Sequence, residues 1–73
     1  MNYPIRKLSA ASRKRVTRIV HQQMAQRYRW ATDAICSANA AEFDGDHMTA
    51  MRYDAEALAL SQEIDELGRS LRA

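Results

Sequence analysis

Between Pro4 and Gly45 the chain runs for 40 residues with neither glycine nor proline. Nothing in that interval breaks a helix, and a sheet is not expected. Beyond it only Gly68 interrupts the run to the last residue. The fold class that follows is all-α.

A chain of 73 residues makes one small domain. Chains this short rarely bury enough surface to stand without a staple or a partner. The lone cysteine, Cys36, cannot form a bridge within the chain and fits a reducing compartment, so a cytoplasmic protein stabilised by oligomerisation is expected. The first residues, MNYPIRKL, carry basic groups with no apolar run behind them, and no stretch has enough consecutive apolar residues to span a bilayer. Neither secretion nor a membrane partner is indicated.

At 100° per residue, Val16, Ile19, Val20, Met24, Tyr28, Trp30, Ala31, Ala34, Ile35 and Ala38 fall in one broad sector. That pattern predicts an amphipathic helix over 9–42, after an N-terminal arm over 1–8. Ser9 or Ser12 can supply its N-cap oxygen, and Pro4 suits the first position of an earlier turn. In the stretch Glu42-Phe43-Asp44-Gly45-Asp46 the glycine permits a tight reversal, giving a turn over 43–46, and Asp46 suits the cap of the next helix. A second helix is expected over 47–71. Its Tyr53, Ala57, Leu60, Ile64, Leu67 and Leu71 are spaced 4, 3, 4, 3, 4, a seam that packs helix on helix.

On the other side of that second helix lie Met48, Met51, Ala55, Leu58 and Ala59, a strip that a two-helix hairpin cannot cover. The expected architecture is an antiparallel hairpin with a long basic first helix and a shorter acidic second one, dimerising into a four-helix bundle. Met48, Met51, Ala55 and Leu58, with Tyr28 and Trp30, are the expected protein interface. Methionine-rich strips adapt to varied partners.

Charge is divided unevenly. Residues 1–30 hold eight basic side chains and no acid, while residues 31–73 hold three arginines against nine acids. Such asymmetry arises when a basic helix lies along an acidic one, or when a basic end binds an anionic partner.

The stretch Gln26-Arg27-Tyr28-Arg29-Trp30 interleaves arginines with aromatics, as nucleic-acid binders do. On a helix, however, residues two apart point about 200° from each other, so Tyr28 and Trp30 cannot form one stacking platform. They flank the apolar sector instead. Arg27 points into that sector and needs a carboxylate. A turn at Gly45 makes facing positions sum to about 90, which sets Arg27 opposite Glu63. Gln23, near the same level, is expected to join it in a polar layer.

By the same register Val16 already reaches the level of Ala73, so residues 1–15 are expected to overhang. The overhang and the turn after it carry Arg6, Lys7, Arg13, Lys14, Arg15 and Arg18, the candidate nucleic-acid contacts, while Ile5 and Leu8 can fold onto a partner.

Catalytic equipment is lacking. His21, His47 and Cys36 have no zinc-type spacing, and Asp44-Gly45-Asp46 lacks the downstream oxygen ligands of a calcium loop. No cofactor, metal or small-molecule substrate is expected, and no enzyme. The outline is similar to small helical hairpins that dimerise into four-helix bundles, RNA-binding plasmid copy-number regulators among them, a similarity of architecture that carries over no residue. The functional expectation is a homodimeric regulator, adaptor or inhibitor that binds a protein. Its economy fits products of phages or mobile elements that block a host component. The alternative is a nucleic-acid-binding hairpin using the basic end of the first helix.

Overall fold

The computed structural model describes residues 5–72, apart from the side chain of Arg6. The roles expected of Pro4 and Ala73 lie outside the described residues. A 3-10 turn, Ile5–Lys7, precedes two helices, α1 (Ala10–Phe43) and α2 (His47–Arg72), and no strand occurs among the described residues. The two helices pack along each other as a hairpin.

Local chemistry fixes the ends. Ser9, with extended backbone, caps α1, and its hydroxyl accepts the backbone N–H of Ser12 at 3.2 Å. Ser12 is instead inside the helix. At the other end Gly45 adopts φ +79°, where a side chain would be strained. The Gly45 N–H donates to the Glu42 carbonyl at 3.0 Å and the Asp46 N–H to the Ala41 carbonyl at 2.8 Å, so α1 ends in a Schellman motif. Asp46 then starts α2 at once, its carboxylate accepting the Thr49 N–H at 3.2 Å. One glycine thus joins a C-cap directly to an N-cap, and the chain reverses in three residues.

The seam alternates threes and fours on both helices. On α1 it runs Thr17, Val20, Met24, Arg27, Ala31, Ala34, Ala38, Ala41, and on α2 Ala50, Tyr53, Ala57, Leu60, Ile64, Leu67, Leu71, all buried or half-buried. Facing positions sum to about 91, since both helices rise equally. Near the turn the register sets Ala41 level with Ala50 and Ala34 with Ala57. Larger pairs, Met24 with Leu67 and Val20 with Leu71, close the open end.

Two expectations need correction here. The sector read on α1 included Ile19, Tyr28, Trp30 and Ile35, yet all four are exposed. Alanines at 31, 34 and 38 occupy the seam, and a heptad stripe is narrower than the apolar sector that contains it. The N-terminal arm is not a free overhang either. Ile5–Lys7 folds back against both α1 and α2, and Ile5 and Leu8 are half-buried.

The resulting core is thin. Among the described residues only Val20, Leu60, Ile64 and five alanines are buried. The accessible surface is 5753 Å², against roughly 4,600 Å² for a compact monomer of this mass. The radius of gyration is 16.2 Å, against about 11 Å for a globular chain of this length.

Candidate interaction surfaces

A hairpin two helices wide has two broad faces, and the heptad register assigns side chains to each. One, the Tyr28 face, carries Lys14, Arg18, His21, Ala25, Tyr28, Thr32, Ile35 and Glu42 from α1. From α2 it takes Met51, Asp54, Leu58, Ser61, Asp65, Gly68 and Arg72. The other, the Trp30 face, carries Ile19, Gln23, Trp30 and Asp33 with Glu56, Ala59, Glu63 and Glu66. Each assignment follows from where a residue sits beside the seam.

The expected interface residues therefore separate. Tyr28, Met51 and Leu58 share one face, joined by Ile35. Trp30 lies on the opposite one. Met48 and Ala55 point sideways from α2, away from α1. Met48 is 76% exposed and Phe43, beside the turn, is 92% exposed, the most open large apolar side chain described. Sequence reasoning passed over Phe43. Its one signal was an aromatic placed immediately before a turn, off both the seam and the methionine strip. The seam residues Tyr53, Ala57, Leu60, Ile64, Leu67 and Leu71 all face α1, and Ala50 extends their row by one step.

On the Trp30 face, Arg27 is the organising group. Its Nε lies 3.5 Å from Glu63 Oε2, with side-chain exposures of 24% and 51%. That nitrogen is buried and has no hydrogen-bond acceptor, so the contact is one of charge. Arg27 Nη1 donates to the Gln23 carbonyl at 3.1 Å, and the guanidinium sits 5.9 Å from the centre of the Trp30 ring. The Gln23 side chain is exposed, so the layer forms through its backbone oxygen rather than its amide. Within QRYRW, Arg27 reaches across the seam to Glu63 and lies beside the Trp30 ring, while Tyr28, Arg29 and Trp30 are themselves exposed.

At the start of α1, Lys7, Arg13, Lys14, Arg15 and Arg18 are exposed. None of them pairs with a carboxylate among the described residues, where the only ion pairs are Arg27 with Glu63 and His47 with Glu42. Arg6, grouped with them by sequence, has its side chain outside the described residues. An open groove runs along the N-terminal half of α1, lined by Ala10, Arg13, Lys14, Thr17, Arg18, His21, Gln22 and Ala25. Its polar rim is cationic.

The turn end is anionic. Glu42, Asp44 and Asp46 cluster there, and Glu42 Oε2 lies 2.8 Å from His47 Nδ1. That hydrogen bond, with the carboxylate's charge, raises the His47 pKa above the ordinary imidazole value. Hydrogen bonds from Thr49 lower the Asp46 pKa. Cys36 is exposed with a free thiol. No three of His, Cys, Asp or Glu converge among the described residues as a metal site would require, and no helix described is long and apolar enough to cross a membrane.

Comparison with protein families, with characterised proteins and with solved structures returns no match for this chain.

Proposed function

We propose that this chain is a non-enzymatic binding module of the cytoplasm, a small regulator, adaptor or inhibitor that acts by engaging another protein through its helical surfaces and self-associates into a four-helix bundle. One observation carries the reading: the hairpin buries mostly alanine while Phe43, Met48, Met51 and Leu58 stand more than half exposed. A chain this small gains little from so thin a core, and uncovered apolar side chains of this size mark an interface. The methionines favour a partner surface of irregular shape. Small size and the lack of catalytic groups fit a product of a phage or mobile element.

The test is affinity capture of the tagged protein from a lysate of the organism that carries it, divided into nuclease-treated and untreated halves. A single protein retained in both, and lost with Met48→Asp and Met51→Asp, supports the reading. Retention of that protein by the variant refutes the methionine strip as its site.

A second reading rests on a different observation, the exposed Arg13, Lys14, Arg15 and Arg18, which make no ion pair among the described residues. They suit the phosphates of RNA or DNA. Neutralising all four would then abolish nucleic-acid binding, with a flattened salt dependence, and leave the helical content unchanged.

A further inference from the structure

The charges of the Tyr28 face are sorted by end. Lys14, Arg18 and Arg72 lie toward the open end of the hairpin, and Glu42 and Asp54 toward the turn, with His21 and Asp65 between them. Lys14 and Glu42 are each 14 residues from Tyr28 along α1. Asp54 and Arg72 are each nine residues from Glu63 along α2, and Glu63 is level with Tyr28 in the register that its contact with Arg27 fixes. Two charge pairs on two different helices thus share one midpoint.

We propose that a second copy of this chain covers the Tyr28 face, stacked antiparallel about a two-fold axis at the level of Tyr28, with α1 over α1 and α2 over α2. The proposal rests on the reading of the hairpin as a self-associating module and names the face and the register. Lys14 then meets the partner's Glu42, and Arg72 the partner's Asp54, each twice by symmetry. Tyr28 packs on the partner's Tyr28, and Ile35 on the partner's His21. The cationic groove beside α1 receives the partner's anionic turn. A parallel arrangement would instead bring the two cationic ends together.

Gly68 supports the same register independently. A glycine inside a helix is unfavourable, and packing within the single chain does not demand this one, since an added Cβ would stand at ordinary contact distance from the nearest side-chain atoms, 3.7 Å from Arg72 Nη1 and 3.8 Å from Met24 Cε. In the proposed dimer the partner's Leu58, 61% exposed in the single chain, lies over it. Leu58 and Gly68 are each five residues from Glu63, so they too share the midpoint. Asp65, two residues beyond Glu63, meets the partner's Ser61, a hydroxyl donor.

Sedimentation of the full chain across a concentration series tests this. The wild type is expected to be a dimer. Lys14→Glu with Arg72→Glu, and separately Glu42→Lys with Asp54→Arg, turn attraction into repulsion and are each expected to weaken self-association at least about tenfold. Mixing the two variants restores both sets of pairs and is expected to return a heterodimer. Gly68→Ala favours the helix yet is expected to weaken the dimer severalfold, so a loss there is not a folding failure. Circular dichroism checks that each chain stays helical. A wild type that is monomeric at high concentration, or charge variants that dimerise like the wild type, would overturn the proposal. So would a monomer that binds an RNA or DNA oligonucleotide through Lys14 and Arg72. A monomer that still captures one protein leaves the binding-module reading standing, whereas a dimer that captures nothing overturns only that reading.

Discussion

Arg27 reaches across the hairpin to Glu63, its Nε 3.5 Å from the carboxylate, from a position that the seam elsewhere gives to apolar residues or threonine. A buried Nε without an acceptor is costly, and a half-exposed pair returns little. Arg27→Leu is therefore expected to leave the fold intact and to raise its stability by about 1 kcal/mol in urea denaturation. The pair still has a measurable coupling. Arg27→Glu and Glu63→Arg are each expected to destabilise, and the double change to recover about 0.5 kcal/mol relative to their sum. No recovery would mean that the contact contributes nothing in solution.

Gly45 supplies the left-handed step between the two helices. An added Cβ meets no atom within 4 Å, so the cost of Gly45→Ala is backbone strain alone. A loss of about 1–2 kcal/mol is expected, read from the denaturation midpoint. At the start of α1, Ser9→Ala removes the oxygen that accepts the Ser12 N–H. It is expected to cost about 1 kcal/mol, with Ser9→Asp retaining the cap.

The two titrating groups at the turn oppose each other in pH. Glu42 raises the His47 pKa, so the bond's contribution to stability is full below the unfolded imidazole pKa and fades as pH rises through the higher folded value. Thr49 lowers the Asp46 pKa, so that contribution is present above the unfolded carboxylate pKa and fades as pH falls through the lower folded value. Both groups are exposed, and the effects are small. The check is an NMR titration of His47, whose midpoint is expected to fall on Glu42→Gln. An unchanged midpoint would show that the bond to Glu42 does not persist in solution.

The hairpin itself was readable from the residues because its determinants are local and periodic. The 4-3-4-3-4 row from Tyr53 to Leu71 faces α1, and Gly45 turns the chain. From those two facts the level of Glu63 opposite Arg27 follows by arithmetic. What was not readable depends on competition between neighbours. Alanine and isoleucine look alike to a period of 100°, so periodicity could not say that Ala31, Ala34 and Ala38 would take the seam and leave Ile19 and Ile35 outside. The return of Ile5–Lys7 onto α2 is a tertiary contact with no repeat to announce it. The Glu42 to His47 bond spans the turn, at a separation that no helical spacing rule covers. For the interaction surface, single residues such as Met51 and Leu58 were visible, but the face they share with Tyr28, Lys14 and Asp54 needed both helices in register.

The most direct measurement on the module as a whole is the nuclease-divided capture, run side by side with wild type and with Met48→Asp and Met51→Asp. The result expected is one protein retained by the wild type in both halves and absent from the variant. Proteins that disappear on nuclease treatment, with nucleic acid enriched in the untreated half, would contradict the protein-binding reading and assign the function to the cationic start of α1.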